Sequence, residues 1–207
     1  RVNLLRAIPT ALTLFRLLLG PAFVLLHDPA HPHTEALLVI VGLALLTDWL
    51  DGWLARRWKV VSTFGKLMDP FADALFCMFV FVDFARFDIM PWWLVALLIA
   101  REALVTFLLR PLALSRGIVV AAGMPGKIKT VIQFVVIILA TVRLAPLFHG
   151  PFWTAVLWAG FIGMLGFSLA SAALYARDIA RALRANLKPP AGHDTPTPQQ
   201  PPPPPPP

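Results

Sequence analysis

The chain has 207 residues, 58% of them hydrophobic and 14% charged, with a mean hydropathy of +0.73 and a formal net charge of +7. Soluble domains are roughly 45–50% apolar, so this composition excludes an ordinary soluble globule and points to one membrane domain of five to seven spans of about 20 residues each. The basic residues sit in short loops between apolar runs, which fits anionic lipid headgroups and not nucleic acid.

Residues 1–9 set Val2, Leu4, Leu5 and Ile8 beside Arg1 and Arg6, the pattern of a short interfacial helix. Six apolar runs follow, at about 10–26, 35–57, 66–85, 91–110, 126–145 and 152–175. Each is long enough to cross about 30 Å of hydrocarbon at 1.5 Å per residue. The expected fold is therefore all-α and integral to the membrane, with six transmembrane helices. The first run leads into further spans, so it reads as a span and not as a cleavable leader. Turn chemistry marks the breaks: His27-Asp28-Pro29 to His33, Asp83 to Pro91, Arg110-Pro111 to Pro125-Gly126, and Pro146 to Pro151. Residues 1–188 form the membrane domain. From 189 to 207 the chain turns proline-rich and ends in seven consecutive prolines, a tail expected to be disordered or polyproline II.

Fourteen of the eighteen Lys and Arg fall in the leading segment, the second and fourth connections and the C-terminal end. Arg86 and Arg143 alone fall on the other side, and Arg16 and Arg101 lie inside spans. By the positive-inside rule both termini face the cytoplasm, as an even number of spans requires, and the chain is expected in the inner (cytoplasmic) membrane.

Four acids interrupt the second and third runs in the register Asp48-x2-Asp51-Gly52-x2-Ala55-Arg56-x8-Gly65-x3-Asp69-x3-Asp73. On helices, Asp48 with Asp51 and Asp69 with Asp73 each share a face, and an antiparallel hairpin brings the two pairs together near the cytoplasmic side. Four carboxylates in an apolar setting need compensation, and two divalent cations, Mg2+ or Mn2+, supply it with oxygen ligation. Gly52, Ala55 and Gly65 leave room for a bulky group against the backbone. Arg56 suits a phosphate, and Ser62 offers a hydroxyl. This set points to a metal-dependent membrane enzyme acting on a nucleotide diphosphate. A structural role for one intramembrane acid is ordinary; four at this spacing with interleaved small residues are not explained by packing.

The run from Asp48 to Asp73 resembles the signature of the CDP-alcohol phosphotransferase family at every defining position. The resemblance spans residues 8 to about 180 and implies six transmembrane helices, a homodimer and an active site open to the cytoplasmic leaflet. It assigns metal ligation to Asp48, Asp51, Asp69 and Asp73, proton acceptance to Asp73, and CDP contacts to Gly52, Ala55, Arg56, Ser62 and Gly65. The stretches Ala100-Arg101-Glu102 to Arg110, Ser115 to Val120 and Gly126-Lys127-Ile128-Lys129-Thr130 with Gln133 are similar to the branch that makes phosphatidylglycerophosphate, as is Ile8-Pro9-x2-Leu12-Thr13-x2-Arg16 with Pro21. Thr10 and Ile128 depart from the usual Asn and aromatic residue of that branch. This similarity implies CDP-diacylglycerol and glycerol 3-phosphate as substrates, with CMP released. Arg110, Lys127, Lys129 and, from the last span, Arg177 are then the cations expected to hold the acceptor phosphate; plain topology is the competing explanation for them.

Other acceptors remain open: phosphatidylglycerol giving cardiolipin, inositol phosphate, or serine. A cation transporter is the alternative of another class, but it would place its acids near the bilayer midplane and would not need the small residues. The remaining features take plainer readings. His27, His31 and His33 read as loop histidines, and Cys77 as a packed thiol. The tryptophans read as interfacial anchors. Gly160, Gly163 and Gly166 read as close-packing positions, and Pro70 lies near a helix start. Arg101 and Glu102 point about 100° apart, and each should find its partner on another helix.

Overall fold

The computed structural model describes residues 2–28, 33–57, 63–116 and 124–186; residues 2–10, 52, 55–56, 63–67, 69, 124–127 and 185–186 are described by their backbone alone. The expected readings of His31, Ser62 and the proline tail lie outside these residues.

Among the described residues the chain is all-helical. Six long helices follow one another: α1 (Val2–Leu26), α2 (Thr34–Arg57), α3 (Thr63–Arg86), α4 (Trp92–Ser115), α5 (Met124–Val142) and α6 (Pro151–Asn186). A single 3-10 turn, Pro146–Phe148, joins the last two. α1 runs unbroken from Val2, so the expected interfacial helix and first span form one element. Leu4, Leu5, Arg6 and Ala7 are good helix formers and give no reason to stop before Pro9. α3 begins at Thr63, which puts Pro70 inside the helix and not at its start. α6 continues to Asn186, well past the expected end of the last span.

Among the described residues, two stretches are long and apolar enough to cross a membrane, Trp92–Ser115 and Pro151–Arg184, while Ala11–Leu26 and Ile128–Val142 are shorter apolar stretches. α2 and α3 carry the acids of the candidate site within their apolar runs. A coat of large apolar side chains faces outward on every well-described helix, including Leu18, Val39, Leu108, Val131 and Ile162. Water would not tolerate that surface, and a bilayer does.

α1 packs against α2 and α3, α5 against α2 and α6, and α4 between α3 and α6. The shared core is aromatic and aliphatic, with Phe23, Leu37, Phe76, Phe84, Leu98, Ile137 and Met164 all buried. Phe23 meets Phe84 edge-on at 5.8 Å, tying α1 to α3, and Phe76 stacks on Phe134 at 5.9 Å, tying α3 to α5. α3 ends in a Schellman turn: Ile89 N–H donates to Phe84 O at 2.8 Å and Asp88 N–H to Ala85 O at 3.2 Å. Asp88 occupies the left-handed position at φ 56°, which a short polar side chain tolerates.

Of the three glycines expected to pack closely, Gly160 does so, since a Cβ there would stand 3.2 Å from Val136 Cγ2, whereas Gly163 and Gly166 face open space. Gly20 is the tighter site. A Cβ at this position would lie 2.8 Å from Phe79 Cδ2 and 3.1 Å from Phe79 Cβ, so α1 and α3 approach there only because the side chain is missing. Gly20→Ala is expected to destabilise the protein by about 1–3 kcal/mol through overpacking. Thermal unfolding in detergent checks this, with Gly42→Ala, where nothing lies within 4 Å, as the neutral comparison.

Candidate active site

Arg16, in the middle of α1, is fully buried and holds the acids together. Its Nη2 donates to Asp51 Oδ2 at 2.6 Å, and its Nη1 to Asp73 Oδ1 at 2.5 Å, with Asp48 Oδ1 3.2 Å from the same Nη1. Its Nε lies 3.5 Å from Thr47 Oγ1. Thr47 donates in turn to the carbonyls of Leu43 and Ala44, so its oxygen faces the guanidinium as an acceptor. Three helices therefore meet at one cation. α2 supplies Asp48 and Asp51 from a shared face three residues apart, and α3 supplies Asp73. Asp51 is buried, while Asp48 and Asp73 keep 41% and 22% of their side-chain surface open, so the cluster has an accessible side.

Three of the four expected metal-ligating acids are thus brought together; the side chain of Asp69 lies outside the described residues, as do those of Gly52, Ala55, Arg56, Gly65 and Lys127. Among the described residues, no group of three or more His, Cys, Asp or Glu side chains is closed up tightly enough to hold a metal ion. The carboxylates are arranged about a guanidinium instead. The donor chemistry nevertheless fits a hard divalent cation: carboxylate oxygens from two helices, two of them partly exposed and sharing a single nitrogen of Arg16.

A second polar network lies between α4, α5 and α6. Glu102 Oε1 accepts from Arg101 Nη1 at 2.8 Å and from Lys129 Nζ, and Glu102 Oε2 accepts from Thr106 Oγ1 at 3.0 Å. Arg101 also donates through Nε to Ser168 O at 3.0 Å and through Nη2 to Ser171 Oγ. Each of the two adjacent residues does reach another helix, as expected, but they also bond one another. The helix is not a regular α-helix beyond this point: a π-helical segment runs over Ala103–Leu109, a distortion frequent at functional sites. Lys129 is buried, with its ammonium engaged by Glu102. Arg110 stands over Tyr175 at 5.9 Å, and Arg177 pairs with Asp178 at 3.4 Å on the exposed part of α6. Of the expected acceptor cations, Arg110 and Arg177 come to the same end of α4 and α6, and Lys129 sits deeper. Cys77 is buried as a free thiol, one turn along α3 from Asp73, and feels the charges of Lys129, Glu102, Asp73 and Arg16. The two networks are therefore neighbours across α3.

Sequence reasoning gave Arg16 no role at the site, placing it as a charge within a span and in a stretch that carries the family resemblance. The signal was there: a lone arginine in an apolar helix must have an acidic partner on another helix. His27 is the second correction. It does begin the loop after α1, but it is buried at 5% exposure, with Nδ1 against Asp83 Oδ2, because the carboxyl of Asp83 points into the same apolar layer.

With the geometry in view, comparison with known proteins decides the family. The model of the CDP-alcohol phosphatidyltransferase family matches residues 6–166. The chain belongs to that family. It is 35% identical over 167 residues to a CDP-diacylglycerol–glycerol-3-phosphate 3-phosphatidyltransferase of Bacillus subtilis, covering 73% of this chain and 86% of the relative. Proteins with the same name from Shigella flexneri and Escherichia coli K12 are 36% identical over 169 residues and 39% identical over 133 residues; they cover 79% and 62% of this chain and 86% and 72% of the relatives. As a CDP-alcohol phosphatidyltransferase the chain is a membrane enzyme of phospholipid synthesis, and members of this family are generally divalent-metal dependent.

Removing the central cation leaves three carboxylates facing one another. Arg16→Gln is expected to cost about 3–5 kcal/mol of stability in divalent-free buffer, the usual penalty for orphaning buried charges. Thermal unfolding with and without Mg2+ checks it, and recovery on adding the metal is the expected sign that the carboxylates accept it in place of the guanidinium.

Proposed function

We propose that this enzyme transfers the phosphatidyl group of CDP-diacylglycerol to glycerol 3-phosphate, releasing CMP. The observation that carries the reading is the convergence of Asp48, Asp51 and Asp73 on one point from two antiparallel helices, partly open on one side. The names of the relatives, and the cations at the adjoining end of α4 and α6, support the choice of acceptor.

Asp48, Asp51, Asp69 and Asp73 are the residues that would hold two Mg2+ or Mn2+ ions. When bound, such ions neutralise the diphosphate and the charge that develops on the leaving nucleotide. The chain's own groups do the rest. Gly52, Ala55 and Gly65 admit the CDP moiety against the backbone, Arg56 binds its phosphate and Ser62 donates a hydroxyl. The acyl chains of the donor stay in the bilayer. Arg110, Lys127, Lys129 and Arg177 draw in the phosphate of glycerol 3-phosphate and orient its free hydroxyl, which supplies proximity. Asp73 accepts the hydroxyl proton as the acceptor oxygen bonds the lipid-side phosphorus. The phosphoanhydride bond to CMP breaks, and CMP leaves with the bonding electron pair. A carboxylate is a weak base for an alcohol, so it acts only because the surrounding positive charge favours the forming alkoxide.

The six helices are read as six spans, with both termini on the cytoplasmic side of the inner membrane, the aspartates toward that side, and a homodimer as the working assembly. Arg56, Arg57, Arg110 and Arg116, at the helix ends that lead into the second and fourth connections, support that orientation.

Asp73→Asn is expected to lower CMP release by about 10²–10⁴-fold while the protein still inserts and folds. Turnover near the wild-type rate in the purified variant would rule out Asp73 as proton acceptor. Lys127→Ala is expected to raise KM for glycerol 3-phosphate by about 10-fold or more, the worth of a charge-assisted hydrogen bond. An unchanged KM would point to an uncharged acceptor. In both assays EDTA is expected to stop CMP release, and added Mg2+ or Mn2+ to restore it.

A further inference from the structure

At the end of the bundle away from the aspartates, the ends of α1, α3 and α5 and the starts of α4 and α6 enclose a cavity of about 570 Å³. It lies roughly 20 Å along α3 from Asp73, taking 1.5 Å of rise per residue, so it is no part of the reaction centre. Its polar lining is His27, Asp88, Arg143, His149 and Thr154. Three observations make it a built site and not a surface dent.

The first is His27. The ring is almost wholly buried, held edge-on against Phe87 at 4.6 Å, and its Nδ1 is fixed on Asp83. Its Nε2, however, has no hydrogen-bond partner. A buried polar atom without a partner is unfavourable, and this one belongs to a residue that lines the cavity. The second is Arg143. One N–H donates to Thr154 Oγ1 at 3.0 Å, and that hydroxyl is anchored on Gly150 O at 2.9 Å, so the guanidinium is held in place beside the cavity with further donors in its fork. The third is Asp88. The Schellman turn holds it at φ 56° on the cavity rim.

One guanidinium and one carboxylate line the cavity, Arg143 and Asp88; Asp83, held against His27 Nδ1, is not part of the lining. A dianion does not match that pair, and a zwitterion does. The volume suits a small headgroup and not acyl chains. Around the rim, Trp92, Leu147, Phe152 and Trp158 are exposed apolar side chains, the kind of surface that lies against lipid at a membrane interface.

We propose that this cavity holds the zwitterionic headgroup of a membrane phospholipid, a phosphodiester carrying a primary amine, from the leaflet opposite the aspartate centre. Its phosphate sits on Arg143, and its ammonium donates to Asp88 and to His27 Nε2. The indole of Trp158 offers a further face to the cation. The bound lipid is a structural ligand of the α3–α4 and α5–α6 connections and is not consumed.

The test uses the full-length protein, delipidated in detergent and titrated with a short-chain phosphatidylethanolamine, with binding read by native mass spectrometry. Saturable binding is expected, at least fivefold tighter than for phosphatidylglycerol of the same chain length. Asp88→Asn keeps a side chain that tolerates the left-handed turn, and it is expected to weaken that binding at least fivefold with melting temperature and CMP release unchanged. Arg143→Gln should weaken it to a similar degree, and Arg143→Lys should retain part of it, which separates loss of charge from loss of fold. Equal affinity for the two lipids, or undiminished binding to Asp88→Asn, overturns the proposal. Equally tight binding of free glycerophosphoethanolamine overturns the assignment to a lipid.

Discussion

The structure depends on one guanidinium. Arg16 is buried in α1 at a depth where an uncompensated charge is not tolerated, and three carboxylates from two other helices answer it. The reverse holds as well, because those carboxylates could not be gathered without it. A hydrophobic surface places helices side by side without fixing their rotation or depth. A fork with Asp51 on one nitrogen and Asp48 and Asp73 on the other fixes both for α1, α2 and α3. The absence of a side chain at Gly20 then lets α1 close onto α3 one turn further along.

The second network does the same for the other half of the bundle. Glu102 on α4 takes Lys129 from α5, and Arg101 takes the backbone and hydroxyl oxygens of α6. Glu102 is shared by both cations and the oxygens of Ser168 and Ser171 take the other Arg101 donors, so the group lies deep with its polar atoms bonded. α3 stands between the two networks, with Asp73 in one and Cys77 beside both. A change at Lys129 therefore bears on the acceptor side through Glu102 and the distorted turn that follows it, even where the ammonium itself is held back from the substrate.

The helix count and the shared face of Asp48 and Asp51 were legible in the sequence because both rest on local rules: apolar run length, and three-residue spacing on a helix face. Asp48 and Asp51 share a face whatever surrounds them. What the sequence did not yield were partnerships across helices. Nothing near Arg16 in the chain says which of three acidic positions will reach it, and nothing near His27 announces Asp83, more than fifty residues later. Arg101 and Glu102 show the limit of the angular argument: long side chains overcome the rotation between neighbouring positions when a third group, here Lys129, draws both to one place. Lys129 read as a cation for the acceptor phosphate, because nothing in its local sequence reveals that Glu102 engages it in the interior.

The helices that carry the chemistry also carry the acids that interrupt their apolar runs. This is a consequence of function placed inside a membrane domain. Each acid that α2 and α3 bring to the centre lowers the hydropathy of the helix that carries it, and the compensation must come from outside that helix, from Arg16 on α1 and, at the far end, from His27 for Asp83. α1 and the residue that follows it thus meet acids of α3 at two levels about 15 Å apart, ten residues of rise along α3. A helix with acids at both levels has no stable depth in a bilayer alone, and paired with α1 it has one.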